Sequence, residues 1–478
     1  MRPVFETLQR RWSASEWAAE VHRAAEALRG HRVVASLLDN GAAFALLDEA
    51  LRHAGIVHLP LPLFFTPAQR QHALRAAGVD LLLLPHAAAA ALPGASSLPP
   101  WLLGGEALAR MPLPHASVQL PPGTQTLSFT SGSTGEPKGV GLSAAALDAV
   151  RDGVVATLGD LGIERHLSAL PYAVLLENLA GLAAARHQGA TVLAQPLASL
   201  GLQGASQFDA ARFDAVVRER APNSLILLPQ MLRAWVAHLQ RERLGAPPSL
   251  RLVAVGGAAV GAPLVEAALR LGLPVAEGYG LTEGASVQTL NRPGRQRPGS
   301  AGSALPHARL RVADDGEVWI GGTLFSGYLG EPGSGPQDGW WPTGDLGRLD
   351  ADGHLHLQGR KKNLLITAFG RNVSPEWVET ALRSQPAIGQ AVVFGEAQPA
   401  LAAVLWPSRA DLPQELLQSA VDAANADLPD YARIAHWTRG RAPFDAASGL
   451  ATPNGRPRRE AILALHGDSL FQPEASRP

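Results

Sequence analysis

Hydrophobic residues between positions 12 and 280 form two kinds of pattern that follow each other along the chain. Short continuous apolar runs have the length of buried strands, and longer stretches repeat apolar residues with helical spacing. Such an alternation of strand and helix favours mostly parallel sheets that are covered by helices on both faces. The expected strands are 31–39, 56–62, 79–85, 191–197, 224–230, 250–257 and 274–280, and the expected helices include 12–29, 41–54 and 66–78.

The pattern changes near residue 300. Stretches 308–322 and 347–360 alternate apolar and polar positions, and each has an Asp-Gly pair near its centre, which is typical of β-hairpins. A helix that opens at Ser374 and two further apolar strands follow. We therefore predict an α/β protein. Its large N-terminal domain, 1–359, would contain layered, mostly parallel sheets with helices and a small β-barrel-like part. A small mobile α+β C-terminal domain, 360–478, would follow.

Composition narrows the classes of function. The 478 residues are 46% hydrophobic and 17% charged, which suits a chain with more than one core. A formal net charge of −1 gives no general attraction to nucleic acid or to an anionic membrane, so neither is expected as a partner. The arginine-rich stretch 433–459 is interpreted as a solvated face or as a contact for an acidic partner or for phosphate groups. The lack of cysteine excludes disulfides, thiolate metal sites and a cysteine nucleophile.

Two further properties of the sequence bear on location and chemistry. No uncharged apolar run reaches the roughly 18 residues of a membrane helix, and the N-terminus lacks a signal-type apolar stretch, so we expect a soluble, cytoplasmic protein without a membrane span. Of the 41 basic residues, lysine accounts for Lys138, Lys361 and Lys362 alone. Where arginine is so strongly favoured, a retained lysine more often needs its compact ammonium group.

The stretch "LSFTSGSTGEPKGVGLS" (127–143) combines glycines and hydroxyl side chains with Lys138. Glycines allow successive backbone N–H groups to face an anion, and hydroxyls and an ammonium add further donors. A P-loop would need its lysine to be followed by Ser or Thr at the start of a helix. Here Lys138 is followed by Gly139 and a strand-like segment, so the loop predicts a phosphate site of another kind.

Five further segments follow this loop, and together with it they resemble the AMP-forming adenylating enzymes, which include acyl-CoA synthetases, peptide-synthetase adenylation domains and luciferases. The resemblance covers roughly 125–460. The segments are "AVGGAAV" (254–260), "EGYGLTEGA" (277–285), "WWPTGDLGRLD" (340–350), "QGRKKNLLITAFGRNVSPEWVE" (358–379) and "TPNGRPRRE" (452–460). Each motif alone is weak, but their common order is a strong signal.

The resemblance implies ATP, Mg²⁺ and CoA, or a phosphopantetheine carrier, as cofactors. The hydroxyls and Lys138 would hold the β- and γ-phosphates, Tyr279 would stack on adenine, Asp345 would accept the ribose hydroxyls, and Glu283 would bind Mg²⁺. Catalytic roles are implied for Lys138, Thr282, Glu283 and Arg456. The implied cofactor-binding residues are Thr130, Ser131, Gly132, Ser133, Thr134, Gly135, Lys138, Gly256, Gly257, Ala258, Glu277, Gly278, Tyr279, Gly280, Thr282, Asp345, Arg360 and Gly370.

The chain departs from the family pattern at two places. The terminal loop normally has a lysine where this chain has Arg456, which keeps the charge but is larger and planar. In "LPYAVLLEN" (170–178) the usual aromatic-histidine pair is replaced by Ala173 and Val174, and Glu177 follows as in long-chain acyl-CoA synthetases. Glu177 is either an assistant of Mg²⁺ or the phosphate loop, or a residue of a helix start.

The resemblance implies that a carboxylic acid, most simply a fatty or other apolar one, is activated to acyl-AMP with release of pyrophosphate and is then transferred to a thiol, most simply CoA. A hinge at Lys362 would let the small domain rotate between the two steps, with Gly370 along the thiol channel. Three alternatives remain: loading of an acyl carrier protein, β-lactone formation, and a catalytically impaired adenylate-binding relative.

Overall fold

The computed structural model describes residues 2–89, 99–114, 117–130, 137–203, 207–368, 371–452 and 455–470. The α-helices, numbered in chain order, are α1 Ala14–Ala27, α2 Ala42–Ala54, α3 Pro67–Ala76, α4 His86–Ala89, α5 Ala144–Leu158, α6 Ala184–His187, α7 Ala210–Arg220, α8 Pro229–Glu242, α9 Ala262–Arg270, α10 Pro375–Arg383, α11 Gln414–Ala426 and α12 Arg459–Leu470. A π-helical segment, Leu176–Ala183, runs directly into α6.

The strands, in chain order, are β1 Phe5–Glu6, β2 Arg11–Trp12, β3 Val33–Ser36, β4 Val57–Pro60, β5 Leu81–Pro85, β6 Trp101–Leu103, β7 Glu106–Pro112, β8 Thr124–Thr130, β9 Lys138–Ser143, β10 Arg165–Leu167, β11 Thr191–Leu193, β12 Leu202–Gln203, β13 Gln207–Phe208, β14 Ser224–Leu227, β15 Leu252–Val255, β16 Val275–Leu281, β17 Ser286–Leu290, β18 Ser303–Ala304, β19 Ala308–Val312, β20 Glu317–Gly322, β21 Gly327–Tyr328, β22 Trp340–Leu349, β23 Leu355–Arg360, β24 Leu365–Ile366, β25 Asn372–Val373, β26 Ile388–Phe394, β27 Leu401–Pro407 and β28 Ile434–Arg439.

Two large mixed sheets form the body of the N-terminal part. One has the strand order β21-β9-β8-β4-β3-β5-β7-β6, and the other has the order β18-β17-β16-β15-β14-β10-β11-β1-β2. Their central neighbours are parallel, as in the pairs β3–β4, β10–β14 and β14–β15. A continuous core of buried apolar residues joins α1, α2, α5 and the π-helical segment to these sheets. The architecture confirms the predicted α/β class with mostly parallel central strands.

Local sequence signals explain where several elements begin. The Ser13 side chain accepts from the backbone N–H of Glu16, while the Glu16 carboxylate accepts from the N–H of Ser13, so Ser13 is the N-cap of α1. Ser143, the last residue of β9, accepts from the N–H of Ala146 and caps α5. The strand that follows the glycine-rich loop therefore lies where the sequence predicts it, and α5 begins directly after this strand.

One hairpin escaped the sequence analysis. Strands β6 and β7 pair antiparallel across Gly104 and Gly105, whose φ angles are +59° and +85°. Two consecutive positive φ angles are what a two-residue hairpin turn needs, and Gly-Gly is a recognised sequence for it. The stretch "LLGGEALAR" (102–110) contains this turn signal.

The part after residue 300 contains antiparallel sheet, as predicted. Strands β19, β20, β22 and β23 are neighbours in that order, with turns at Gly316 and Gly353 that have φ angles of +83° and +79°. The small C-terminal domain has the sheet β26-β27-β28, which packs on α10 and α11 through its own apolar core. Within the described parts of the chain, no helix is both long and apolar enough to cross a membrane.

Candidate active site

A deep cleft with a volume of about 3220 Å³ lies where the small domain faces the N-terminal part. Its walls bring together most of the residues singled out from the sequence, although these residues are spread over more than 300 positions. Ser131, Gly132, Ser133, Thr134, Gly135 and Gly370 lie outside the described residues. The others all line the cleft: Thr130, Lys138, Gly256, Gly257, Ala258, Glu277, Gly278, Tyr279, Gly280, Thr282, Glu283, Asp345, Arg360 and Arg456.

Two antiparallel strands present the ends of the glycine-rich loop to this cleft. Thr130 at the end of β8 lies opposite Lys138 at the start of β9. The Lys138 ammonium is 2.8 Å from a carboxylate oxygen of Glu331 and 5.1 Å from the centre of the Tyr328 ring. Since both contacts stabilise a cation, the ammonium is held at the mouth of the loop.

Tyr328 also contacts the acidic residue of the Thr-Glu pair. Its hydroxyl donates to Glu283 Oε1 over 2.7 Å. Glu283 stands in a 3₁₀ turn, Thr282–Gly284, that follows directly on β16. Burial raises the pKa of Tyr328, and the negative charge of Glu283 raises it further. Tyr328 therefore joins Lys138 and Glu283 into one connected group on the cleft wall.

Asp345 is the centre of a second group. It is 7% exposed, and its two oxygens have different partners: the Tyr279 hydroxyl donates to Oδ2 over 2.7 Å, and Arg360 Nε lies 2.7 Å from Oδ1. Burial raises the pKa of Asp345 although the charge of Arg360 acts in the opposite direction. The pKa of Tyr279 lies well above its ordinary value because of burial and the neighbouring Asp345. This contact fixes the Tyr279 ring at the edge of the cleft.

Strand β17 explains the glycines that flank Tyr279. A β-carbon at Gly280 would lie 1.7 Å from the carbonyl oxygen of Ser286, and one at Gly278 would lie 2.9 Å from that of Thr289. Strands β16 and β17 pair with a register shift between Tyr279 and Gly280. The close approach of the neighbouring strand thus requires glycine at both positions, which the resemblance implies only as cofactor-binding residues.

Arg456 reaches the cleft from the small domain. Its loop is closed by backbone bonds between Thr452 and Arg456, and the adjoining Arg459 is fixed by Glu379 Oε1 at 2.6 Å. Partial burial and the positive charge of Arg360 lower the pKa of Arg456, while Asp345 opposes this. The guanidinium is therefore close enough to Arg360 and Asp345 for their charges to act on it.

The chain segment at the expected hinge is tied to the same region. Lys361 Nζ is 2.6 Å from Asp315 Oδ2 and 2.8 Å from Glu317 Oε2. These two carboxylates raise the pKa of Lys361. The other oxygen of Glu317 accepts from the backbone N–H of Gly344 over 2.9 Å, immediately before Asp345.

Glu177 has partners for both of its carboxylate oxygens. It is fully buried in the first turn of the π-helical segment, where Oε1 is 2.8 Å from His166 Nε2 and Oε2 accepts from the N–H of Leu170 over 3.0 Å. This position agrees with the second alternative, a residue of a helix start.

The inner end of the cleft was not predicted from the sequence. It lies between α5, the π-helical segment and the sheet that contains β14 and β15, and we call it the tunnel. Its lining is largely apolar and includes Val154, Leu158, Ala180, Ala184, Leu252 and Ala254. These residues come from three separate stretches of chain, and no local pattern connects them.

Comparison with known proteins decides the family. Residues 2–329 match the family model described as AMP-binding enzyme, and residues 362–468 match the one described as AMP-binding enzyme C-terminal domain. The chain belongs to the AMP-binding enzyme family. The predicted family resemblance is thereby confirmed.

Individual relatives agree with this membership. The chain is 41% identical over 169 residues to the long-chain-fatty-acid–CoA ligase FadD15 of Mycobacterium bovis, a match that covers 34% of this chain and 28% of that protein. It is 33% identical over 316 residues to the indoleacetate–CoA ligase of Aromatoleum aromaticum, covering 61% and 57%. The chain thus spans less than two thirds of the length of these relatives.

A solved structure shows the fold over nearly the whole chain. The o-succinylbenzoate CoA synthetase (MenE) of Bacillus subtilis superimposes with a TM-score of 0.74 at 24% sequence identity, and the match covers 96% of this chain and 95% of that one. The two-domain architecture of this AMP-binding enzyme is therefore shared with an adenylating enzyme.

Glu277 gives this family member a pH-dependent stability. Burial raises its pKa from the ordinary 4.5 to about 7, and its Oε2 has no hydrogen-bond partner within the described chain. Between these two pH values the folded protein binds more protons than the unfolded one, so the free energy of unfolding falls as pH rises. At about 1.4 kcal/mol per pKa unit, the loss amounts to about 3 kcal/mol.

We expect Glu277→Gln to remove that slope. Denaturant unfolding from about pH 5 to about pH 8 should show the wild type losing up to about 3 kcal/mol relative to the variant. Glu266→Gln, at an exposed position on α9, is the matched control and should follow the wild type. Parallel curves for the wild type and Glu277→Gln would contradict the prediction.

Proposed function

We propose that this protein activates a carboxylic acid with ATP and transfers the acyl group to CoA. The observation that carries the proposal is the convergence of Lys138, Glu283, the Asp345–Arg360 pair and Arg456 on one cleft. These groups come from both domains, and they supply what adenylation needs: cations for phosphates, an acceptor for ribose and a carboxylate for a metal.

The first step would form the mixed anhydride. A carboxylate oxygen of the acid attacks the α-phosphorus of ATP, a new P–O bond forms, and the bond to the β-phosphate oxygen breaks so that pyrophosphate leaves. Lys138 and the hydroxyls beside it bind the departing phosphates, Thr282 binds the α-phosphate, and Arg456 neutralises charge between the carboxylate and the α-phosphate. Asp345 accepts the ribose hydroxyls, and the fixed ring of Tyr279 offers its face to adenine.

The residues present fit Mg²⁺. Glu283 lines the cleft and accepts from Tyr328 through Oε1, and in the described chain no cluster of three or more His, Cys, Asp or Glu surrounds it. One carboxylate together with substrate phosphates and water is the usual environment of this ion. When bound, Mg²⁺ would neutralise charge on the phosphates.

The second step would use the same cleft. The thiol of CoA attacks the acyl carbon, the C–O bond to AMP breaks, and the thiol proton leaves to solvent. Rotation of the small domain about Lys362 would remove Arg456 from the cleft and open a path for the thiol, along which Gly370 would lie. Formation of an acyl thioester with CoA follows.

An apolar acid is the proposed substrate class. The tunnel beyond Gly256 is lined mainly by aliphatic side chains, and burying an apolar chain there is favourable by about 25 cal/mol per Å². The relatives are named for a long-chain fatty acid and for indoleacetate, both largely apolar acids. The tunnel therefore favours an apolar acyl or aryl group over a charged one.

ATP–pyrophosphate exchange with a panel of fatty, aryl and small polar acids tests the proposal. Exchange with apolar acids, followed by detection of the CoA thioester by mass spectrometry, is expected. ATP binding without exchange for any acid would support the impaired alternative. Exchange without a CoA product, together with acylation of a phosphopantetheine carrier, would support carrier loading.

Tyr328→Phe tests the metal-binding group. Removing the hydroxyl that orients Glu283 should raise the Mg²⁺ concentration needed for half-maximal exchange about tenfold, because partners of a metal ligand typically have effects of this size. Tyr431→Phe changes an exposed tyrosine of the small domain and should leave the Mg²⁺ dependence unchanged. If Tyr328→Phe needs the same Mg²⁺ concentration as the wild type, Glu283 as oriented by Tyr328 does not bind the metal.

A further inference from the structure

The wall of the apolar tunnel contains a buried polar cluster of Ser224, His166 and Glu177. His166 and Ser224 are paired neighbours on strands β10 and β14, and both line the cleft. They are 3% and 4% exposed, and Glu177 behind them is fully buried. Burying polar groups is costly unless they are hydrogen-bonded, and these three side chains are hydrogen-bonded to one another.

Gly181 makes room for the cluster. A β-carbon at this position would lie 2.2 Å from Glu177 Oε1 and 2.7 Å from His166 Nε2. Gly181 belongs to the π-helical segment, one turn beyond Glu177, and irregular helical turns of this type are frequent at functional sites. The absence of a side chain at Gly181 therefore lets the carboxylate meet the imidazole within the tunnel wall.

The direction of each hydrogen bond follows from the chemistry of the three groups. Glu177 accepts from the N–H of Leu170 and from His166 Nε2, so the imidazole hydrogen is on Nε2. In the neutral imidazole Nδ1 is then an acceptor, and the Ser224 hydroxyl, 2.9 Å away, donates its single hydrogen to it. The lone pairs of Ser224 Oγ are left to accept, and the described chain offers this atom no other partner.

The position of Ser224 along the tunnel can be measured on the sheet. Ser224 pairs with Leu252 of β15, and Gly256, one of the residues implied to bind the cofactor, follows four positions after Leu252. At about 3.3 Å per residue this is a distance of about 13 Å. Leu158, Ile163 and Leu252 also line the cleft. Ser224 Oγ thus adds a hydrogen-bond acceptor to a largely apolar lining.

We propose that Ser224 selects carboxylic acids that carry a hydroxyl group at the far end of an apolar chain, about 13 Å from the reacting end. The substrate hydroxyl donates to Ser224 Oγ, and the His166–Glu177 pair fixes the serine hydrogen so that it points away from the ligand. The proposal rests on the proposed acid activation. Its effect is a preference of about tenfold to hundredfold over the unsubstituted acid, because the acceptor is otherwise left without a partner.

The test compares straight-chain fatty acids with the ω-hydroxy acids of the same length in ATP–pyrophosphate exchange. In the wild type, kcat/KM should favour the hydroxy acid about tenfold or more at the length that reaches Ser224. In Ser224→Ala that ratio should fall to about one. Ser168→Ala removes another buried hydroxyl, which contacts Tyr172 outside the tunnel lining, and should keep the preference.

The outcomes separate the two proposals. Exchange with fatty acids but no preference for the hydroxy acid at any length would overturn the role of Ser224 and leave acid activation standing. A preference that survives in Ser224→Ala would also overturn it. No exchange with any acid would overturn acid activation itself. If Ser224→Ala fails to fold, the wild-type ratio decides alone.

Discussion

Arg456→Ala is expected to lower the rate of acyl-adenylate formation by about 10²–10³-fold. The guanidinium is the cation that the small domain brings to the cleft, where the charges of Asp345 and Arg360 act on it. Without it, the charge that develops between the carboxylate and the α-phosphate lacks its preorganised partner. ATP–pyrophosphate exchange measures this step, and thioester formation from a synthetic acyl-adenylate measures the other.

The second measurement makes the prediction specific. Because Arg456 is proposed to act in adenylation alone, Arg456→Ala should convert a supplied acyl-adenylate to the thioester at a rate close to that of the wild type. Arg456→Lys restores a cation at the same position and should keep exchange within about tenfold of the wild type. Equal loss of both steps in Arg456→Ala would point to a misplaced small domain, and no loss would remove Arg456 from the reaction.

Asp345→Ala is expected to weaken ATP binding about 100-fold and to destabilise the protein. The change removes the acceptor proposed for the ribose hydroxyls, and it leaves the buried Tyr279 hydroxyl without its partner. A buried donor that loses its partner costs about 1–3 kcal/mol, and the half-exposed Arg360 adds less because water replaces Asp345 there. Calorimetric titration with ATP and denaturant unfolding would measure the two effects.

A control aspartate lies close by in the sequence. Asp352 is 61% exposed, pairs with Arg297 at a hairpin turn and does not line the cleft, so Asp352→Ala should bind ATP like the wild type. Asp345→Gln supplies an acceptor with no charge and should recover part of the stability. If Asp345→Ala binds ATP as tightly as the wild type, Asp345 does not bind the ribose hydroxyls.

Much of this molecule was predictable because its signals are local. The N-caps Ser13 and Ser143, the Asp-Gly turns at Gly316 and Gly353 and the strands around the glycine-rich loop depend on residues that are neighbours in the chain. The family motifs are local as well, and the residues proposed from them line one cleft wherever the structure describes them.

The features that were missed join distant parts of the chain. The bond between Tyr328 and Glu283 spans 45 positions, and the contact of Lys361 with Glu317 spans 44. The partner of Glu177, His166, could not be predicted because it lies on a strand and faces Glu177 only after the helix has packed on the sheet. Pairings of this kind depend on how elements pack, which periodicity and spacing do not encode.

The contacts of Lys361 have a mechanical consequence for the proposed cycle. A hinge needs one side that stays still. Lys361 is bound to two carboxylates of the N-terminal part, and one of these also holds the backbone at Gly344, next to Asp345. The stationary side of the hinge and the proposed ribose site therefore belong to the same part of the protein. AMP would remain bound there while the small domain rotates and brings different side chains to the cleft.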